Sequence, residues 1–230
     1  MAGRLLALVA QAPRLIVSLP ENSAALARAA AEGGADALKV HLHVTHQASG
    51  TRFGGLEEER SRLEGIISLG LPTGVVPGGA DSLASQQEMR ELAAIGMDFC
   101  DLFLHHMPAW VASFEGMTRV AAIDRATELE VLPECEALGI QMIEAAVVPP
   151  EGYGQALHLS DLIAYGRIRR ATQLPIIVPT ERGIKPEDVP LLIDVGINAI
   201  MIGAVVTGRE PAALRAATER FASALGSARD

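Results

Sequence analysis

The chain has 230 residues and a formal net charge of −9, and 49% of its residues are hydrophobic. So acidic a chain has no basic stripe to displace counterions from a nucleic-acid backbone, and non-specific nucleic-acid binding is excluded. Its apolar residues fall in short blocks with no run of about 18, which excludes a helical membrane span.

The length is close to the ~250 residues of a single α/β barrel, so one domain is expected over 1–230. The opening MAGRLLALVAQA mimics a signal peptide, but its apolar part, Leu5 to Ala10, is shorter than the roughly 7–15 residues a signal needs. A short leading helix packed across one end of the fold is expected, in a cytoplasmic protein. Cys100 and Cys135 have no metal-like spacing and read as buried free thiols of a reducing compartment.

Leu15–Leu19 is a short apolar run, and Pro20-Glu21-Asn22-Ser23 then supplies turn and N-cap chemistry for an Ala-rich helix ending at Gly33-Gly34. The same pattern recurs: a helix closes on a glycine, which supplies the left-handed residue, and a β-rich run follows at Gly34, Gly70, Gly96, Gly139 and Gly196. Strands are expected over 15–19, 37–44, 73–77, 98–105, 118–124, 141–148, 175–180 and 198–203. Helices are expected near 22–33, 56–69, 82–95, 108–114, 127–138, 160–172, 186–195 and 210–225. Eight β-then-α units call for a parallel sheet with right-handed crossovers and favour closure into a (β/α)8 TIM barrel. An open doubly wound sheet would carry a G-x-G-x-x-G turn after its first strand, where this chain has LPENSAA.

The second strand, within ADALKVHLHVTHQASGTRFGG, places Leu38, Val40, Leu42 and Val44 on one face and Lys39, His41 and His43 on the other. Titratable groups on the inner face of a buried strand need a wet cavity or charged partners. Lys39 is also one of only two lysines, with Lys185, among 19 basic residues. On the first strand Ser18 faces inward; on the fourth Asp101, Phe103 and His105 do; on the sixth Met142, Glu144 and Ala146 do. Ser18, Lys39, His41, His43, Asp101, His105 and Glu144 are therefore expected to converge at the barrel's C-terminal mouth, where a Lys/Asp/Glu/His cluster can tune a proton donor and an acceptor near neutrality. The catalytic candidates are Lys39, His41, Glu144 and Asp101. No cofactor is expected; in the alternative, a metal-dependent hydrolase, His41, His43 and His105 hold a divalent metal.

The last quarter carries a second signal. The seventh strand runs into Thr180-Glu181-Arg182-Gly183-Ile184 and the eighth ends at Ile202-Gly203-Ala204, so glycine-lined amides and a short helix start are available to an anion. Thr180, Arg182, Gly183, Gly203 and Ala204 are the expected phosphate-binding residues.

This ending resembles that of the ribulose-phosphate-binding barrels, in which a Gly-Ile precedes a helix and a V-G-x-A turn follows. The early stretch is similar to ribulose-5-phosphate 3-epimerases at Ala35-Asp36, Leu38 and Phe53-Gly54. Where that pattern has a histidine and then an aspartate, this chain has Lys39 and then His41, and Thr73-Gly74-Val75-Val76-Pro77 lacks the third-strand histidine or lysine of the related epimerases. Glu181 falls near the catalytic glutamate of N-acylmannosamine-6-phosphate 2-epimerases. The resemblance implies a phosphorylated small-molecule ligand.

The leading expectation is an epimerase, isomerase or lyase acting on a phosphorylated carbonyl compound. Lys39 polarises the carbonyl or, as a neutral amine, forms a Schiff base; His41 and Glu144 move the proton; and the loop Val148 to Gly154 serves as a lid. A barrel that binds a phosphometabolite without turnover is the non-enzymatic alternative, and a homodimer is the expected assembly.

Overall fold

The computed structural model describes residues 3–46 and 48–227. Eight parallel strands close in sequence order into a barrel: β1 Arg14–Ser18, β2 Ala37–His41, β3 Thr73–Val76, β4 Phe99–Phe103, β5 Thr118–Ile123, β6 Met142–Ala145, β7 Ile176–Pro179 and β8 Ala199–Ile202. The helices are α1 Arg4–Val9, α2 Ala24–Glu32, α3 Leu56–Ile67, α4 Gln86–Ala94, α5 Leu132–Ala137, α6 Leu159–Ala171, α7 Val189–Asp194, α8 Ala204–Thr207 and α9 Pro211–Ser227. The expected (β/α)8 barrel is thus the observed fold. Cys100 and Cys135 are both buried and unpaired, and no helix among the described residues is long and apolar enough to cross a membrane.

Several elements are shorter than expected, among them β6 and α4, and two differences lie beside the barrel mouth. The expected helix over 108–114 is a 3-10 turn, Ala109–Ser113, with bonds from the Val111 amide to the Pro108 carbonyl and from the Phe114 amide to the Val111 carbonyl, and the end of the expected strand 98–105 is a second 3-10 turn, Leu104–His106. The final helix falls where expected, as α9, and Gly208 at φ 66, a conformation that suits glycine, ends the one-turn α8 before it. Strand β2 stops at His41, and two residues later His43 adopts φ 56, which swings the chain out of the ladder.

The strand alternation sorts the core into two shells. Leu15, Val17, Leu19, Leu38, Val40, Cys100, Ile143 and Ala145 face the helices. Inside, Ile16, Ala37, Phe99, Val120, Met142, Ile177, Ala199 and Met201 form an apolar floor, closed from below by Leu5 and Val9 of α1. The Asp98 carboxylate holds α1 across that end, accepting from the Arg4 and Leu5 amides at 2.7 and 2.8 Å. The leading helix therefore packs where expected.

Gly74 decides how this floor is filled. It is the neighbour of Lys39 on one side and of Phe99 on the other, and a Cβ built on it would lie 2.1–2.3 Å from carbons of the Phe99 ring. The absent side chain is the space that the ring occupies, so the floor beneath Lys39 is an aromatic surface. Gly74→Ala is expected to destabilise the protein by about 1–3 kcal/mol through overpacking, read by chemical denaturation, and Gly74→Ala with Phe99→Leu to recover part of that loss.

Candidate active site

Directly above the apolar floor lies a charged layer. Lys39 of β2 projects into the lumen and its Nζ donates to Asp101 Oδ2 of β4 at 3.1 Å and to Glu144 Oε2 of β6 at 2.8 Å. The three residues are 5%, 1% and 6% exposed, so two carboxylates and one ammonium are shut away from solvent together. Burial opposes the Lys39 charge, yet the fields of Asp101 and Glu144 and their hydrogen bonds outweigh it and hold the ammonium above its ordinary pKa. Burial, reinforced by the negative charge of Glu144, drives Asp101 well above the usual carboxylate range. Burial also pushes Glu144 up, but the Lys39 charge and hydrogen bonds from Asp101 and Lys39 win and lower it. These directions correspond to an ionised Lys39 and an ionised Glu144 beside an Asp101 that holds its proton, and Asp101 Oδ1 has no hydrogen-bond partner among the described residues. In that state the cluster is neutral in sum.

His41 lies one step further up β2, 2% exposed. Asn22 braces the strand end from the turn after β1: its Nδ2 donates to the His41 carbonyl at 2.8 Å and its Oδ1 accepts from the His41 amide at 3.2 Å. The His41 ring packs 4.5 Å from that of His46 and 4.9 Å from that of Phe53. Burial, with the charges of His46 and Lys39, lowers the His41 pKa well below its ordinary value, and burial with Lys39 takes His46 down to about 4. Both imidazoles are neutral. Ser18 Oγ and His41 Nδ1 are buried without a protein hydrogen-bond partner among the described residues.

These groups form the base of a cavity of 610 Å³ at the C-terminal ends of the strands. Ser18, Lys39, His41, Asp101, Phe103, His105 and Glu144 line it, as expected. His43 does not. Beyond the end of β2, its ring faces α4, with Nδ1 3.2 Å from Ser82 Oγ and Nε2 3.5 Å from Glu88 Oε1. His105 stacks on Phe103 at 5.4 Å with Nδ1 3.8 Å from Asp124 Oδ2. The His41, His43 and His105 ligand set is therefore not assembled, and no group of three His, Cys, Asp or Glu among the described residues has metal-holding geometry.

The expected phosphate residues divide in the same way. Thr180, Gly203 and Ala204 line the cavity; the Gly203 amide donates to Thr180 Oγ1 at 3.0 Å, and Ala204 and Val205 supply the first N–H groups of α8, which have no partner within the helix. Arg182 and Gly183 are turned elsewhere. The Arg182 guanidinium grips Asp161 of α6 through Nε and Nη2 at 2.9 and 3.0 Å, and the Gly183 amide donates to the Gln155 carbonyl at 2.7 Å. Residue spacing near β7 identifies a loop of the right composition for an anion but does not reveal Asp161, which claims the arginine from the preceding helix.

Glu181, on the cavity wall, is 6% exposed. Its Oε2 accepts from the Val148 amide at 2.9 Å and its Oε1 from the Tyr153 hydroxyl at 3.0 Å. Burial is the largest influence and outweighs these two bonds, raising the pKa to about 7; Glu144 adds to the rise and Lys39 opposes it. Tyr153 has no sequence signal beyond being one of two tyrosines and sitting in a Gly/Pro-rich loop.

No protein-family model matches the chain, and no curated relative does. Solved structures share its fold. A tryptophan synthase chain of Mycobacterium tuberculosis superposes with a TM-score of 0.77 at 18% identity, covering 98% of this chain and 99% of that one. The thiamine phosphate pyrophosphorylase of Pyrococcus furiosus gives 0.67 at 17% identity, over 94% and 97% of the two chains. A 3-hexulose-6-phosphate synthase gives 0.65 at 17% identity, over 92% and 99%.

Because the folded-state pKa of Glu181 is raised, folding favours its protonated form. Its contribution to stability is fully present below about pH 4.5 and is lost as pH rises to about 7, a loss of about 3 kcal/mol. Wild-type stability relative to Glu181→Gln is therefore expected to decline across that window in urea titrations at fixed ionic strength.

Proposed function

We propose that the protein is an enzyme that transfers a proton next to the carbonyl of a small phosphorylated metabolite, as an epimerase, isomerase or lyase does. The observation that carries this reading is the juxtaposition, in one cavity, of a buried ammonium bonded to two buried carboxyl groups and a further buried carboxyl, Glu181, held on the wall by the Val148 amide and the Tyr153 hydroxyl. Lys39, held charged, stabilises the negative oxygen that develops when a proton leaves the adjacent carbon. An ammonium kept protonated by two carboxyl groups is a poor nucleophile, so the polarising role is preferred to the Schiff base.

Two sources of acid and base are available. Asp101 holds a proton beside Glu144 on the floor, and Glu181 on the wall changes protonation near neutral pH, where a general acid or base is most effective. Neutral His41 can donate or accept one hydrogen bond at its unpartnered Nδ1. The phosphate is assigned to the mouth beside α8, to the Ala204 and Val205 amides together with Thr180 and Gly203. Because the charged layer beneath is neutral in sum, it does not repel a phosphate there. The support from fold is that the thiamine phosphate pyrophosphorylase and the 3-hexulose-6-phosphate synthase with this barrel are named for phosphorylated compounds.

The test is exchange in D2O, followed by proton NMR, with hydroxycarbonyl phosphates such as dihydroxyacetone phosphate and ribulose 5-phosphate as probes. Deuterium is expected at the carbon next to the carbonyl, with Glu181→Gln and Asp101→Asn each slowing incorporation by about 10²-fold or more. Tight binding of these probes with no exchange above the protein-free rate would instead support a phosphometabolite-binding barrel without turnover.

A further inference from the structure

The segment after β7 does more than line the cavity. Each of its three residues Glu181, Arg182 and Gly183 is bonded to the loop that follows β6. Glu181 takes the Val148 amide and the Tyr153 hydroxyl on its carboxylate, and its carbonyl accepts from the Gly154 amide at 2.8 Å. Arg182 Nη1 donates to the Gly152 carbonyl at 3.2 Å. Gly183 donates to the Gln155 carbonyl, and a Cβ on it would come within 2.7 Å of the Gly154 oxygen, so only glycine admits so close an approach. Behind this zipper stands the Arg182–Asp161 pair, with side chains 10% and 8% exposed and two parallel hydrogen bonds. Asp161 lies in the first turn of α6, immediately after the loop, and it also accepts from the His158 amide at 2.9 Å. The loop is therefore tied at its start, through Val148, by Glu181 and at its end by Arg182.

We propose that Arg182 and Tyr153 are positioning residues for Glu181: the Arg182–Asp161 pair latches residues 148–155 onto the end of β7, and the latched loop, through the Tyr153 hydroxyl and the Val148 amide, holds and buries the Glu181 carboxyl at the cavity wall. The arginine that sequence spacing assigns to a phosphate is the keystone of this latch. The proposal rests on the reading of Glu181 as the acid or base, but it concerns how that carboxyl is held and is tested without turnover.

The groups that face Glu181 are few. Glu144 comes from β6, Lys39 from β2, Tyr153 and the Val148 amide from the loop, and Tyr165 from α6, whose buried hydroxyl is raised by burial and by the charges of Glu181 and Asp161. Removing the Tyr153 hydroxyl takes away a donor that favours the ionised carboxylate and leaves burial in place. Releasing the latch removes burial itself, the largest influence on Glu181. The two changes therefore act in opposite directions.

The experiment is 13C NMR titration of glutamate side-chain carboxyls, with the Glu181 signal assigned by its loss in Glu181→Gln. In the wild type its midpoint is expected at about 7. Tyr153→Phe is expected to raise it, and Arg182→Gln to lower it by about one pH unit or more towards the ordinary range. Amide hydrogen exchange at Gly154 and Gly183 is expected to quicken about tenfold or more in Arg182→Gln. Arg182→Lys, which keeps the cation but loses the paired geometry, is expected to shift both readouts the same way by less, and it carries the test if the glutamine variant does not fold. A purely structural Arg182 would lower the melting temperature and leave the Glu181 midpoint and the two amides unchanged, and that result overturns the proposal. Absence of deuterium exchange in the metabolite assay with an intact titration pattern would overturn the acid–base reading and leave the latch standing.

Discussion

One buried ammonium between two carboxyl groups is the constraint on which the rest of this barrel depends. Moving such ions out of water costs several kcal/mol each, and the cost is offset only where the geometry is good and the charges balance. Lys39 satisfies the first condition with bonds of 2.8 and 3.1 Å to side chains from two other strands. The second is met by a proton, which stays on Asp101 because a second negative charge beside Glu144 in a water-poor layer is unfavourable. In that state the layer is neutral in sum, and the proton on Asp101 is one that a proton-transfer reaction can use.

The layers above and below make this arrangement possible. Phe99 fills the lumen beneath it by using the space of the missing Gly74 side chain, and α1 seals the floor with Leu5 and Val9. Above, Asn22 fixes the end of β2 through both backbone groups of His41, so that the imidazole stands over the ammonium while staying neutral. On the opposite wall Glu181 experiences the same low-polarity surroundings without a cation bonded to it. Two carboxyl environments in one cavity therefore have different proton affinities: one is balanced by Lys39, and the other is raised to near neutrality by burial.

Much of this was legible in the sequence because strands alternate strictly. Once β2, β4 and β6 are recognised, Lys39, Asp101 and Glu144 must share the inner face, and their meeting follows from barrel closure alone. The alternation carried no information past the strand ends. His43 fits the inward period, but the ladder ends at His41 and a positive φ at His43 sends its ring to Glu88 and Ser82. Arg182 fits an anion loop, but a carboxylate 21 positions earlier claims its guanidinium. Tyr153 meets Glu181 across two loops whose approach depends on Gly183, a packing relation with no periodic signature. Regular elements could be read from period and glycine punctuation, whereas partners joined through loops could not.

The scarcity of lysine offers a direct view of the central cluster, since a chain labelled with 15N at the lysine Nζ contains only Lys39 and Lys185. Following both Nζ signals through an alkaline titration reports the charge of the buried group with no substrate. Lys39 is expected to remain an ammonium through the ordinary lysine range. A Lys39 signal that loses its proton below the ordinary lysine range would contradict a neutral cluster built on an ionised Lys39 and would favour a nucleophilic amine in its place.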